Sequence, residues 1–110
     1  MNVQIFGKAK CFDTKKAERW FKERRIKYQY IDLLRYGMSR GELSAVKNAV
    51  GLEELVNKDD QDYPLFQYLA TTDAKMEKLF EIPELIQSPV VRNGRQATVG
   101  YCPEIWKTWE

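Results

Sequence analysis

The residue best suited to chemistry is Cys11, in the stretch MNVQIFGKAKCFDTKKAERWFKERR. It stands between a short apolar run and an amphipathic, strongly helical segment, so it is expected at a strand-to-helix junction. There the positive end of the helix dipole and unpaired backbone N–H groups favour the thiolate, the nucleophilic form of cysteine. Lys8, Lys10, Lys15 and Lys16 are close in sequence and push the same way, while Asp13 pushes weakly against. A small apolar plug beneath a helix is the plainer reading of a free cysteine, and it fits less well with charged or polar neighbours on both sides. The second thiol, Cys102, also precedes a helical segment, with Pro103 at its first position. There is no histidine. That removes His-dependent dyads and triads and most catalytic zinc sites, so neither a metal nor a bound cofactor is expected.

The elements around these residues follow from the hydrophobic pattern. Val3 and Ile5, with Gln4 and Phe6, read as a short strand ended by Gly7. Ala17, Trp20 and Phe21 have the spacing of one helix face, with Asp13 or Thr14 as possible caps and Lys22, Arg24 and Arg25 near the end. IKYQYIDLL alternates as a second strand running on to Leu33. Strand, helix and strand within about thirty residues make a βαβ unit with parallel strands. Tyr36-Gly37 breaks the pattern. Ser39-Arg40-Gly41-Glu42 is a capping box ahead of Leu43, Val46 and Val50 at helical spacing. Further helical pieces follow to about residue 86, interrupted near Pro83, and this middle section reads as helices covering a sheet. After Ser88-Pro89, Val90-Val91 and Gln96–Val99 read as a hairpin around Asn93-Gly94, and a last short helix begins after Cys102.

Composition narrows the classes. The 110 residues are 44% hydrophobic, enough for the core of one domain, expected to span 1–110 with a helical insertion over about 39–86. Eighteen basic and sixteen acidic side chains leave a net charge of +2, so direct nucleic-acid binding is not expected. Neither a leader-like apolar segment nor a membrane-length apolar run is present, and two distant cysteines do not make a disulfide scaffold. A cytoplasmic location with reduced thiols is the expectation.

The order β-α-β, helices, β-β-α, with a cysteine opening the first helix and a proline just before the third strand, resembles the thioredoxin fold: α/β, a mixed four-stranded sheet flanked by helices. Within that fold CFDTKKA (11–17), Pro89-Val90-Val91 and VGYCPEIW (99–106) resemble the arsenate reductase (ArsC) family, which also contains the transcriptional regulator Spx. The resemblance runs nearly end to end. It implies a thiol-dependent oxidoreductase with Cys11 as nucleophile, restored by glutathione with glutaredoxin, or by thioredoxin, as external reductant. It implies a small thiol or a redox protein as partner. An Spx-like regulator that binds an RNA polymerase subunit without turnover is the alternative. It also implies a cis peptide before Pro89, against the reactive cysteine. Lys8, Lys10, Thr14, Lys15, Ser88, Pro89 and Arg92 are the candidate substrate- or thiol-binding residues.

Three departures from the family pattern carry weight. The second cysteine of the Spx switch is Thr14 here, whose hydroxyl can either donate to the Cys11 thiolate or cap the helix. The arginines that clamp arsenate in the family correspond to Ser88, Asn57, and Tyr101 or Cys102. Arg92 and Arg95 remain near the hairpin, where charges usually form a solvated edge. A charge-assisted pair is worth about 1.5–3 kcal/mol. Losing two or three costs on the order of a thousandfold or more, so efficient arsenate reduction is not expected. Cys102 is left with two readings, a bystander at a helix start or the thiol that resolves an oxidised Cys11.

Overall fold

The computed structural model describes residues 1–109. Four short strands, β1 (Val3–Gly7), β2 (Tyr28–Asp32), β3 (Val90–Asn93) and β4 (Gln96–Val99), form one mixed sheet in the order β2-β1-β3-β4. β1 runs parallel to β2 and antiparallel to β3, and β3 is antiparallel to β4. The register sets Phe6 opposite Val90, and Val90 opposite Val99. The end of β1, the start of β3 and the end of β4 therefore meet at one edge of the sheet. Residues near positions 8–14, 88–89 and 100–102 are brought together there although they are far apart in the chain.

Both faces of the central strands are covered at the end nearest Cys11, where Ile5, Phe6, Val90 and Val91 are all apolar and buried. Val3, Ile5 and Val91 point to one face. They pack with Ala17, Trp20 and Phe21 of α1 (Phe12–Glu23) and with Trp106 of α7 (Pro103–Trp106). The buried indole N–H of Trp106 donates to Thr98 Oγ1 at 2.8 Å, so this polar atom is satisfied inside the core. Phe6 and Val90 point to the opposite face, against Leu33, Leu43, Val46, Leu55, Leu79, Leu85 and Ile86. These come from α2 (Leu33–Tyr36), α3 (Arg40–Val50), α4 (Leu52–Leu55), α6 (Thr72–Glu81) and the residues just after it, with α5 (Tyr63–Tyr68) supplying Phe66. This is the α/β thioredoxin-like architecture. No helix among the described residues is long and apolar enough to cross a membrane.

Several local expectations change. β2 stops at Asp32, whose carboxylate accepts from the Leu34 N–H at 3.1 Å and opens α2, so Leu33 is helical and the helical segment starts before residue 39. Neither Asp13 nor Thr14 caps α1. Cys11 itself is the N-cap residue, without a side-chain cap, and the other two lie inside the first turn. The capping box is present, with Ser39 Oγ accepting from the Glu42 N–H at 3.1 Å and Glu42 accepting from the Ser39 N–H at 2.9 Å. The hairpin loop is Gly94-Arg95, one residue later than the Asn-Gly pair, because Asn93 stays in β3 opposite Gln96. Gly94 takes a positive φ of 63 at the first loop position, the pattern of a type II′ turn.

The middle section does more than cover the sheet. Val56 and Ile86 form an antiparallel bridge, the Asn57 N–H donates to the Leu85 carbonyl at 2.7 Å, and the Gln87 N–H donates to the Leu55 carbonyl at 2.8 Å. These bonds fasten the segment after α4 alongside the residues that lead into Ser88.

Candidate functional site

The Cys11 backbone is extended (φ −85, ψ 119), and α1 begins at the next residue. Its N–H donates to the Lys8 carbonyl at 3.0 Å, which fixes the turn between β1 and α1. The partly buried thiol donates to the Ser88 carbonyl oxygen at 3.6 Å. Burial is the largest single influence on this thiol and pushes its pKa up. Hydrogen bonds to the charged form outweigh it: the Ser88 hydroxyl, the Thr14 hydroxyl, and the backbone N–H groups of Thr14 and Asp13 together hold the thiol below its ordinary value. The Ser88 carbonyl contact favours the protonated thiol and opposes these donors. It is a single long contact to sulfur, and the donors prevail. The Ser88-Pro89 peptide is cis, and the Pro89 carbonyl accepts from the Gly100 N–H at 2.8 Å.

Thr14 sits at the centre of this arrangement and is only 1% exposed. Its Oγ1 accepts from the Lys8 N–H at 3.4 Å, which leaves its own O–H to point at the Cys11 sulfur. That approach depends on Gly7. A Cβ at position 7 would stand 2.4 Å from Thr14 Cγ2 and 2.9 Å from Thr14 Oγ1. Gly7 is therefore not merely a strand breaker. It is the space that lets the first turn of α1 close onto β1.

Lys8 is the flanking lysine that the structure couples to the thiol. Its Nζ donates to the Glu84 carbonyl at 3.1 Å. Burial lowers its pKa, and the negative charges of Asp60, the Cys11 thiolate and Glu84 push it back up. The expectation that several lysines drive the thiolate is corrected: hydrogen bonds to sulfur lower the thiol, and most of the lysines face elsewhere. Lys10 and Lys15 are exposed, and among the described residues neither side chain makes a hydrogen bond or ion pair. Lys15 lies on the outer face of α1 beside Arg19 and Lys22. The Lys16 ammonium stands over the Tyr101 ring, 5.7 Å from its centroid.

Arg92 is likewise not part of the site. It pairs with Gln4 in the sheet register, at the opposite end of β1 from Cys11. There its guanidinium donates to Gln4 Oε1 at 3.1 Å and approaches Glu42 at 3.7 Å. Arg92 and Arg95 line a separate cleft against Ala45, Asn48 and Ala49 of α3. Arg92 is three-quarters or more covered rather than on a solvated edge, because α3 packs over it.

A cleft of about 280 Å³ opens beside Ser88 and the first turn of α1. Its charged lining is Asp13, Glu53, Glu54, Lys58 and Asp59, and no arginine lines it. The Lys58 ammonium is paired with Glu53 at 2.9 Å. The Asn57 carboxamide, where the resemblance to the family places a clamp arginine, accepts from the Asp59 N–H at 3.1 Å and shapes the loop. The acidic wall was missed in the sequence, although the run LEELVNKDDQD signals it. Cys102 lies at the same end of the sheet. Its thiol donates to the Val99 carbonyl at 3.4 Å. Burial chiefly pushes its pKa up, a Thr98 hydrogen bond opposes this, and the charges of Glu54 and Asp13 add to the rise. Both cysteines are free.

Residues 6–109 match the ArsC family. The chain belongs to the ArsC family. Among curated relatives, this ArsC-family chain is 29% identical over 107 residues to a global transcriptional regulator, Spx 2, of Oceanobacillus iheyensis, covering 92% of this chain and 78% of that protein. Among solved structures, an ArsC-family-related protein from Bacteroides fragilis superposes with a TM-score of 0.86 at 22% identity, over 100% of this chain and 98% of that one. An arsenate reductase from Vibrio cholerae superposes with a TM-score of 0.83 at 24% identity, over 96% and 94%. At these identities the two structures speak to the fold, which they share with this ArsC-family chain nearly end to end.

Proposed function

We propose that this ArsC-family protein is a thiol–disulfide oxidoreductase with Cys11 as its nucleophile, and that it does not reduce arsenate efficiently. The observation that carries the reading is the lowered Cys11 thiol, held by donors from Ser88, Thr14 and the first turn of α1. In the forward step the Cys11 thiolate attacks one sulfur of a disulfide. A Cys11 mixed disulfide forms, the original S–S bond breaks, and the departing thiolate takes a proton from water. An external thiol, small or carried by a glutaredoxin- or thioredoxin-like protein, then attacks the mixed disulfide. It leaves as a new disulfide and returns Cys11 as thiolate. Pro89 and the Ser88 main chain form the wall against which the attacked disulfide lies, and Thr14 holds the charge on the returning sulfur.

The case against arsenate is electrostatic. A tetrahedral oxyanion needs a planar guanidinium fork or its equivalent, and the cleft beside Ser88 and the first turn of α1 is lined by carboxylates and by no arginine. Thiol-coupled arsenate turnover is expected to be absent or very slow. A rate near the usual enzyme median of about 10 per second refutes this part. The nucleophile part is tested by iodoacetamide labelling against pH in a Cys102→Ser background, with turnover of a small disulfide under excess thiol. A labelling midpoint at or above the free-cysteine value of about 8.5 removes the support for an enzyme.

The similarity to a transcriptional regulator over 92% of the chain favours one second reading, a regulatory domain that binds an RNA polymerase subunit. Gly51, with φ 87, and the exposed acidic face of α4 are the surface it would use. Capture of purified RNA polymerase by this protein, unaffected by Cys11→Ser, would support it over catalysis.

A further inference from the structure

A second polar cleft is built at the end of the sheet opposite Cys11. There β3 turns into β4 through Gly94-Arg95, and α3 packs over the face of the sheet that carries Arg92. Between helix and hairpin lies a cleft of about 310 Å³. Ala45, Asn48 and Ala49 bound it on α3, and Arg92, Gly94 and Arg95 bound it on the hairpin. The three α3 residues have the spacing of one helix face, and the two alanines keep that wall low and apolar. Among the described residues no carboxylate lines the cleft. Its polar groups are two guanidiniums and one carboxamide.

Arg92 brings to this cleft a charge that its own contacts balance only in part. Its side chain is 19% exposed. One terminal nitrogen donates to Gln4 Oε1 at 3.1 Å and the other to the Gly94 carbonyl at 3.3 Å, and both acceptors are neutral. Glu42 approaches only to 3.7 Å, and its other carboxylate oxygen accepts from the Ser39 N–H in the capping box. Arg92 Nε is covered and, among the described residues, has no hydrogen-bond partner. Covered donors without partners are costly and rare, so this guanidinium is held without being fully satisfied. The bond from Arg92 to the Gly94 carbonyl also ties the loop down, so Arg95, the next residue, is carried on a fixed turn. Arg95 is exposed, and among the described residues its side chain makes no hydrogen bond or ion pair. The same holds for the Asn48 carboxamide. Arg92 supplies charge from the wall, and Arg95 and Asn48 supply the free donors.

We infer that this cleft binds a small amphipathic anion, a carboxylate or phosphate group carried on a short hydrocarbon body. The planar fork of Arg95 matches either head group with two parallel hydrogen bonds. The Asn48 carboxamide adds a neutral donor, and the partly covered charge of Arg92 stabilises an anion beside it. The hydrocarbon body lies against Ala45, Ala49 and the Gly94 main chain. The volume sets the size of the ligand: about 310 Å³ is at the small end of ligand sites, which suits a body of a few carbons. The site is separate from Cys11 and stands whether or not that thiol is a catalyst.

The test is an amide-resolved NMR titration of the full chain, in low-salt buffer free of phosphate and carboxylates, with butanoate, butyl phosphate, inorganic phosphate and butanol. Butanoate or butyl phosphate should shift the amides of Ala45, Asn48, Ala49, Gly94 and Arg95 saturably, with a Kd of about 10 mM or tighter. The tighter of the two names the head group. Butanol, without the charge, and inorganic phosphate, without the body, should bind about tenfold more weakly or worse. Binding should weaken in about 1 M salt, where the screening length is about 3 Å. Arg95→Gln should weaken it by about tenfold or more, and Arg95→Lys should recover only part, because an ammonium is a point charge. Lys22→Gln removes the same charge from α1, on the other face of the sheet, and should titrate like the parent. Ligand-free spectra that differ from the parent only at the hairpin show that the Arg95 variants are folded. Shifts that never saturate, an equal response to butanol, or equal losses in Arg95→Gln and Lys22→Gln overturn the site. Inorganic phosphate bound as tightly as butyl phosphate overturns the amphipathic class.

Discussion

Replacing Thr14 with valine isolates one hydroxyl without changing the shape that fills the space above Gly7. In the native protein Oγ1 accepts from the Lys8 N–H at 3.4 Å, and the same hydroxyl donates to the Cys11 thiolate. A buried hydrogen bond to a charged group is worth about 1.5–3 kcal/mol. Cys11 is partly open to water, so roughly half of that is lost to screening, leaving about 1 kcal/mol. That corresponds to about a fivefold smaller thiolate fraction at pH values well below the thiol midpoint. The less stabilised thiolate is also more basic and a better nucleophile. With a Brønsted slope of about 0.4–0.5 it regains about twofold. Iodoacetamide labelling of Cys11, followed by mass spectrometry in a Cys102→Ser background, should therefore be about two- to threefold slower near pH 6. It should become slightly faster on the high-pH plateau, so the two rate profiles cross. Thr14→Ser keeps the hydroxyl and should follow the parent profile. Superimposable profiles for Thr14→Val and parent would refute the view that this side chain holds the thiolate.

Gly7→Ala should lower stability by about 1–3 kcal/mol in denaturant titration and slow Cys11 labelling, because the new methyl meets Thr14. Adding Thr14→Ala should restore much of the stability but not the labelling rate. If Gly7→Ala is neutral in both, the close approach of β1 and α1 does not matter. Mild peroxide at low protein concentration should oxidise Cys11 to sulfenate or mixed and intermolecular disulfides with little Cys11–Cys102 bond, since the Cys102 thiol is raised and engaged with Val99; a dominant intramolecular disulfide in peptide mapping would make a two-cysteine cycle the better mechanism. The folded Cys11 thiol titrates below the unfolded one, so between the two values the unfolded chain binds more protons and stability rises with pH. That contribution is present above the unfolded value and is lost as pH falls through the folded one. In the Cys102→Ser background, Cys11→Ser should flatten the rise in urea midpoints, and an unchanged slope would contradict the lowered thiol.

The reactive junction was readable because it is local. A strand pattern, a glycine, a cysteine and a helix pattern follow one another between Val3 and Phe21, and the capping box at Ser39 and Glu42 announces α3 in the same way. What escaped the sequence depends on pairing between distant segments. Arg92 is four residues from Ser88 in the chain, yet β3 carries it along the sheet to Gln4, away from the thiol. Nothing in NKDDQD alone says that Asp59 faces Ser88; the bridge between Val56 and Ile86 decides that. Gly7 reads as a strand end until Thr14 is seen to occupy the space where its Cβ would be. The position of the hairpin loop is a small error of the same kind, since the register of Asn93 with Gln96 is set by the neighbouring strand as well as by turn propensity.

Ser88 stands 77 positions from Cys11 in the chain, and its hydroxyl is one of the donors that lower the thiol, so the local donors of Thr14 and Asp13 supply only part of the lowering. Residues 1–32 can in principle form a helix with Cys11 at its start, but the Ser88 donor arrives only when β3 docks antiparallel to β1. Reactivity at Cys11 is thus a chronometer for long-range assembly. During refolding, pulses of alkylating agent at neutral pH should find Cys11 a slower thiol until β3, in the last fifth of the chain, joins the sheet. A rise in labelling at that moment would time the closing of β1 onto β3 directly, without any added probe.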